Sequence, residues 1–299
     1  MKVSTKIFNS QTVEQLDNLN EAIQKNQQQI FTGRRISKPS DDPVLAVRSS
    51  IVEDQLAQTD QFVRNLDLSE VKLKLADTVL DQLTNLSTRI YELAVAARNQ
   101  TNKDARQSIA IEIEGLTDSI RDLANTRDAS GRSIFAGYKV DIQPFEIDQN
   151  GKTIYKGDRG IHTVKISDTL NLNTTIDGAA VFQRVPTEAG KSSVFDIIDS
   201  LVSKLKSGKN TSLPIDDMKI AASHFADKRA LIGAELNKAD NQRAVLENRK
   251  TTLTEAVGQL KDADMAKVVT DLQTLLLNKE ASQKAFAMVS RLSLFDYIT

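Results

Sequence analysis

Pairs of carboxylates are the residues of this chain best placed to do chemistry, because neighbouring acids can hold a metal ion or divide acid and base roles. Three of these pairs consist of two aspartates, at Asp41–Asp42, Asp216–Asp217 and Asp262 with Asp264. The first precedes Pro43, which is typical of an N-cap followed by the first helical residue. The second fits the acidic first turn of a helix. The third is predicted inside a helix, where residues two apart point in different directions.

Other residues suited to catalysis or metal binding are scarce. The chain has no cysteine and only two histidines, His162 and His224, in segments of different character. We therefore predict no metal and no cofactor. We also predict that the chain is not an enzyme, because no base, nucleophile and pocket converge. A hydrolase built on Glu146 and Asp158 is the remote alternative.

Charge and hydropathy exclude two classes of partner. The net charge is -1, from 39 basic and 40 acidic residues, which leaves no broad positive surface for nucleic acid or an anionic membrane. No run of 18 apolar residues occurs, so we predict no membrane-spanning segment. The opening residues, MKVSTKIFNSQTVEQ, lack the apolar core of a secretory signal peptide. Export would therefore use a route that reads no cleaved signal.

The elements that must position these residues are long helices. Glycine, proline and β-branched residues concentrate between residues 139 and 191, whereas both flanks have helical periodicity. The fold class predicted is mainly α, a long coiled-coil helical rod formed by both chain ends with a small inserted antiparallel β domain. The expected domains are a terminal coiled-coil assembly domain (1–42 and 258–299), a helical rod domain (43–138 and 192–257) and a β-rich outer insert (139–191).

Apolar residues follow three- and four-residue steps in both end helices, as in a coiled-coil seam. The first helix carries the seam Val13, Leu16, Asn20, Ile23, Gln27 and Ile30. The last arm, predicted as almost unbroken helix from residue 215, carries Val268, Leu272, Leu275, Lys279, Ser282, Phe286 and Val289. The first helix is too polar to be stable alone in water, so we expect it to pair with the C-terminal helix.

The insert has the alternation of short strands. Asn150-Gly151 is a hairpin-turn signal, and Phe145 and Ile147 alternate with polar residues before it. One small antiparallel sheet is predicted there. A short helix with an apolar face should follow from about residue 194.

Three motifs give the chain a family resemblance. They are TGRRISKPSDDP at 32–43, ANTRDASGRSIFAGY at 124–138 and DADMA at 262–266. Together, in this order, they resemble the bacterial flagellin family over nearly the whole chain. The ending LSLFDYIT is similar to the tail of the family members that join hook and filament. The turn residues of the first motif are Gly33, Arg34, Arg35, Ser40, Asp41, Asp42 and Pro43.

The resemblance implies a structural adaptor of the bacterial flagellum. It would join hook-associated protein 1, at the hook end, to the flagellin filament through coiled-coil packing of its termini, with copies of itself in a ring. It would be exported through the type III apparatus to the extracellular flagellum, with a cytoplasmic export chaperone on the C-terminal helix beforehand. The filament subunit itself is one alternative, and a cytoplasmic coiled-coil scaffold is another of a different class.

The expected assembly interface consists of apolar residues in the end helices and the C-terminal tip. They are Ile7, Val13, Leu16, Ile23, Ile30, Leu275, Phe286, Val289, Leu292, Leu294, Phe295, Tyr297 and Ile298. An intramolecular core is the simpler interpretation of the two seams. Both interpretations hold together where coiled-coil layers contact within and between subunits.

Overall fold

A computed structural model describes residues 2–100, 102–187, 190–207 and 213–295. The chain divides into two compact units. The first contains both chain ends, Met1–Gln58 and Arg249–Thr299, and the second is Thr59–Asn248.

Helices dominate the fold, and short strands lie between them in the sequence. The helices are α1 (Lys2–Thr32), α2 (Pro43–Arg98), α3 (Lys103–Ala124), α4 (Gly178–Phe182), α5 (Val194–Ser207), α6 (Ile215–Lys261) and α7 (Met265–Phe295). The strands are β1 (Phe145–Ile147), β2 (Thr153–Tyr155), β3 (Thr163–Lys165), β4 (Asn171–Asn173), β5 (Val185–Thr187) and β6 (Gly190–Ser192). The mainly α fold class with a small inserted antiparallel β region is confirmed.

Side-chain caps set the starts of two helices. The Asp42 carboxylate accepts a hydrogen bond from the Leu45 amide at 2.9 Å, and Pro43 is the first helical residue. The Asn102 side chain accepts from the Asp104 amide at 2.9 Å at the start of α3. Each cap satisfies an amide that has no partner within the helix. Asp42 therefore acts as the N-cap that the sequence predicted.

Within the described residues, the insert forms three separate two-stranded antiparallel sheets, so the prediction of one sheet was wrong. The pairs are β1–β2, β3–β4 and β5–β6, and each strand has three residues. A local turn closes the first hairpin, where Asp148 Oδ1 accepts from the amides of Asn150 at 2.9 Å and Lys152 at 2.8 Å, and Gly151 has a φ of +79°. Strand alternation predicts strands but not whether neighbouring hairpins join into one sheet, because that depends on packing between them.

The last arm is interrupted, which corrects two predictions. α6 ends at Lys261 and α7 begins at Met265, so the arm is not one helix and Asp262 and Asp264 do not lie inside one. Asp264 instead caps α7, because its Oδ1 accepts from the Lys267 amide at 3.1 Å. The apolar spacing continues on both sides of the short break, so periodicity alone does not reveal it.

An aromatic cluster lies in the core of the second unit. Phe182 of α4 has its ring centroid 4.8 Å from that of Phe145, 5.2 Å from Phe135 and 5.6 Å from Phe225. All four side chains are fully buried. Edge-to-face packing of such rings adds stability beyond the burial of their area. The cluster joins the β insert to the apolar face of α5, where Phe195 is also buried.

Candidate functional site

The two chain ends pack against each other, as the sequence predicted. α1 and α7 are in contact along the first unit. The least exposed residues of α7 from 265 to 288 are Val268, Leu272, Leu275, Lys279, Ser282 and Phe286. These are the predicted seam positions of this helix. Burial of this stripe against α1 stabilises both helices, which have low helical stability alone in water.

The stripe on α1 differs in part from the prediction. Among its least exposed positions are Leu16, Leu19, Ile23, Asn26 and Ile30, whereas Val13 and Gln27 are exposed. Neighbouring residues lie about 100° apart around a helix, so a seam displaced by one residue faces a different side. The predicted and the observed seams of α1 both include apolar residues, and the contact with α7 decides which side is covered. Leu19 is therefore a seam residue that the sequence interpretation missed.

The predicted interface residues fall into three groups. Ile23 is buried, while Leu16, Ile30, Leu275 and Phe286 are half-buried. Ile7 and Val13 are each 51% exposed. The side chains of Val289, Leu292, Leu294 and Phe295, and all of Tyr297 and Ile298, lie outside the described residues.

Other exposed apolar residues of this unit were not predicted. Phe31 is 92% exposed at the end of α1, and Leu277 and Met288 are exposed on α7. Val44 and Val47 are exposed at the start of α2. The run Leu275-Leu276-Leu277 was the available signal, since three consecutive leucines cannot all face one seam. Contiguous exposed apolar residues are typical of a contact surface.

The turn after α1 joins the two chain ends through the backbone. Gly33 has a φ of +68°, and its amide donates to the Gln29 carbonyl at 2.8 Å, which ends the helix as the sequence predicted. The Arg35 amide donates to the Lys261 carbonyl at 2.7 Å, and the Ala263 amide donates to the Gly33 carbonyl at 2.9 Å. Arg34 and Asp262 thus form an antiparallel bridge. The first motif of the chain pairs with the break between α6 and α7.

The acidic pair in this motif has a structural role. Asp41 Oδ2 accepts from the amides of Lys38 at 3.0 Å and Ser37 at 3.2 Å, while Asp42 caps α2. The hydrogen bond from the Lys38 amide is the main reason that the pKa of Asp41 lies below its ordinary value. Ser40, which precedes Asp41 in the turn, is exposed. Both carboxylates are thus engaged in shaping the loop.

Two further candidate catalytic groups, Asp158 and Glu146, are engaged in structure. Asp158 Oδ1 accepts from the amides of Tyr138 and Gly160, both at 2.8 Å, and these bonds lower its pKa. Glu146 forms an ion pair with Lys156. Within the described ranges, no group of three or more acidic or histidine side chains is placed to hold a metal ion.

The histidines lie apart from each other. His224 Nε2 is 2.9 Å from the Ala180 carbonyl oxygen, and burial lowers its pKa. The His162 ring packs edge-on against Tyr138 with centroids 4.9 Å apart. Across the part of the chain that the structure covers, none of the helices has the length and apolar character of a membrane span.

Paired end helices, a backbone-bridged turn and an inserted β region define a subunit of the flagellar type. The N-terminal helical region of bacterial flagellin matches residues 3–140, and its C-terminal helical region matches residues 215–298. Together these regions cover more than half of the chain, which therefore belongs to the bacterial flagellin family.

Individual relatives refine this assignment. The chain is 28% identical to flagellar hook-associated protein 3 of Escherichia coli (strain K12), over 99% of each chain. It is 24% identical to flagellin of Bacillus subtilis (strain 168), over 97% of each. Among solved structures, a putative flagellar hook-associated protein from Vibrio parahaemolyticus superposes with a TM-score of 0.68 at 18% identity, over 74% of this chain and 100% of that one. The last similarity supports the fold.

Proposed function

We propose that this chain is a structural adaptor of the bacterial flagellum, seated between the hook and the flagellin filament. The observation that carries the proposal is the pairing of α1 with α7, which leaves further apolar residues of the same unit exposed. A subunit with both ends in one layer, and with apolar surface still uncovered, is suited to stacking with other subunits through its termini.

The relatives favour the junction over the filament. Similarity to the hook-associated protein extends over 99% of both chains, at higher identity than similarity to the flagellin. The ending LSLFDYIT supports the same choice. We infer that hook-associated protein 1 and flagellin are the neighbours on the two sides, and that copies of this chain form a ring between them.

We infer an extracellular site of action, reached by type III export. The chain has no cysteine, so no disulfide would have to open for it to thread through a narrow channel. A cytoplasmic chaperone would cover the C-terminal helix before export, since that helix exposes Leu276, Leu277 and Met288. Enzymatic activity is not part of the proposal. The carboxylates of Asp42 and Asp264 cap helices, those of Asp41 and Asp158 shape turns, and that of Glu146 forms an ion pair.

Deletion of the gene in the source organism tests the proposal. We expect bare hooks by electron microscopy and unpolymerised flagellin in the medium, because the filament subunit would be exported with nothing to seat on. Loss of flagellin from both cells and medium would make this chain the filament subunit. Normal flagella would contradict both flagellar roles and favour a cytoplasmic scaffold.

A second test uses purified protein. An adaptor should stay mostly monomeric without its neighbours, whereas a filament subunit should polymerise alone. Light scattering and electron microscopy under conditions that polymerise flagellin distinguish these outcomes. Long filaments from this chain alone would overturn the adaptor role.

A further inference from the structure

A cavity of about 240 Å³ lies beside the turn that follows α1, within the first unit. Its lining includes Arg34 and Lys38 from the turn, Ser49 and Glu53 from α2, and Lys261 from the end of α6. Lys261 forms an ion pair with Glu53. Arg34 and Lys38 have no ion-pair partner among the residues that the structure describes. The cavity therefore has an excess of positive charge, and we call it the basic socket.

The basic socket also contains a hydroxyl without a partner. Ser49 is only 2% exposed, and its Oγ has no hydrogen-bond partner among the residues that the structure describes. A buried polar group of this kind costs free energy unless something satisfies it. A hydroxyl donates readily to a carboxylate, and charge-assisted bonds of this type are stronger than neutral ones. Cations and a free donor around one cavity are the chemistry that recognises a carboxylate.

A complementary acidic surface is present on α1. Glu14, Asp17 and Glu21 are all exposed and are spaced by three and four residues, which places them on one face of the helix. None of the three forms an ion pair within the described part of the chain. We call this surface the acidic stripe.

The acidic stripe does not fill the basic socket of its own chain: among the described residues, neither Arg34 nor Lys38 forms an ion pair with it. The turn lies beside the last turns of α1, where the charge of Lys25 helps to lower the pKa of Asp41. Asp17 lies more than two turns closer to the start of this continuous helix, roughly 12 Å from Lys25 along the axis at 1.5 Å per residue. An aspartate side chain does not span that distance, so an Asp17 carboxylate that occupies a basic socket comes from a second molecule.

We propose that the basic socket receives the acidic stripe of the neighbouring copy, with Asp17 as the central carboxylate. This inference rests on the proposed function, because it assigns the contact between adjacent copies in the ring. The occupant is a second copy because the same chain carries both charge patterns, and these do not pair with each other among the described residues. Complementary charges of this kind fix the register of an interface more than they raise its affinity.

Cross-linking tests the contact directly, because the native chain has no cysteine and gives no background. Lys38→Cys and Asp17→Cys are introduced together, and flagella isolated from the complemented deletion strain are treated with a short bis-maleimide. We expect ladders of covalently joined copies on a denaturing gel. The matched control pairs Lys38→Cys with Gln15→Cys, an exposed position about 200° around the helix from Asp17, and should give no ladder.

Charge reversal provides the second measurement. Arg34→Glu with Lys38→Glu should lower the number of filaments per cell, because loss of two interface ion pairs weakens the contact about tenfold. Adding Glu14→Lys, Asp17→Lys and Glu21→Lys to the same chain should restore it. Both socket residues lie at exposed positions, so the melting temperature of the purified reversed variant should match that of the parent.

The outcomes separate the two proposals. The contact is overturned if isolated flagella contain this chain but give no ladder, or if both cysteine pairs give equal ladders. The adaptor role stands in either case. Absence of the chain from flagella would overturn both. Failure of the acidic-to-basic change to rescue the reversed socket would show that its charges do not meet this stripe.

Discussion

Replacement of Arg243 by alanine should weaken the second unit through one ion-pair cluster. Arg243 of α6 donates to Asp67 at 2.7 Å and to Glu70 at 2.7 and 3.0 Å, and both acids lie on α2. The Glu70 side chain is 11% exposed and that of Arg243 is 27% exposed. Without Arg243, the largely buried Glu70 carboxylate keeps Lys74, at 3.1 Å, as its one ionic partner among the described residues.

The magnitude follows from that geometry. Removal of one partner of a fully buried ion pair costs about 3–5 kcal/mol. Arg243 is partly solvated and Lys74 remains, so we expect the free energy of unfolding to fall by about 2 kcal/mol. For a unit of this size, that corresponds to a melting temperature lower by roughly 4–8 °C.

The cost should depend on pH. Burial pushes the pKa of Glu70 up, but hydrogen bonds from Arg243 and Lys74 outweigh it, so the pKa lies below its ordinary value. Such a group stabilises the fold above its unfolded pKa of about 4.3, and the contribution is lost as pH falls through the folded pKa. The difference in free energy of unfolding between parent and variant should therefore narrow as the pH falls from 7 to 3.

Calorimetry of the two proteins across this pH range measures both effects. Arg89→Ala is the matched control, since Arg89 also bonds an acid at 2.8 Å, on α3, but both side chains are about half exposed. Its melting temperature should stay near that of the parent. If Arg243→Ala behaves like this control, or if its deficit is the same at pH 3 as at pH 7, then the cluster does not stabilise the unit electrostatically.

Three further changes test other parts of the fold. Phe182→Ala should lower the free energy of unfolding by about 3–5 kcal/mol, because it opens a cavity among four buried rings, and a denaturant midpoint that does not move would contradict this. Gly33→Ala should cost about 1–2 kcal/mol at a φ of +68° and speed proteolysis at the turn, whereas an unchanged cleavage rate would mean that the turn relaxes freely. Asp264→Ala should lower the free energy of unfolding by about 1 kcal/mol, because it removes the cap of α7. Asp264→Asn keeps a capping oxygen and should lose much less of this free energy. Equal losses for the two variants in urea unfolding would argue against capping.

Local signals made much of the fold predictable. A cap followed by proline located the start of α2 at Pro43, and a glycine located the end of α1, because helix ends depend on residues within one turn. An apolar face on α5 was also predicted, and so were the seam positions of α7 from Val268 to Phe286. A periodic stripe specifies which side of a helix must be buried, whatever covers it.

Contacts distant in sequence explain the errors. The break at residues 262–264 exists where the backbone of the turn after α1 pairs with it, and nothing in the local spacing encodes that partner. On α1, Leu19 is half-buried and Val13 is exposed, and this difference depends in the same way on the position of α7. Pairing of the short strands into three sheets was likewise decided by packing.

Some features of the candidate site were predictable from the sequence, and others depended on the tertiary structure. The sequence by itself determined that two helical ends needed a partner, because each had an apolar stripe that could not be stable in water alone. It also indicated the family, through three motifs that occur in a fixed order along the chain. Only the tertiary structure placed Ser49, whose Oγ has no hydrogen-bond partner among the described residues, beside Arg34 and Lys38, and left Phe31 exposed. Burial and pairing are properties of neighbours in space, and neighbours more than 200 residues apart in the chain, such as Glu53 and Lys261, meet only after folding.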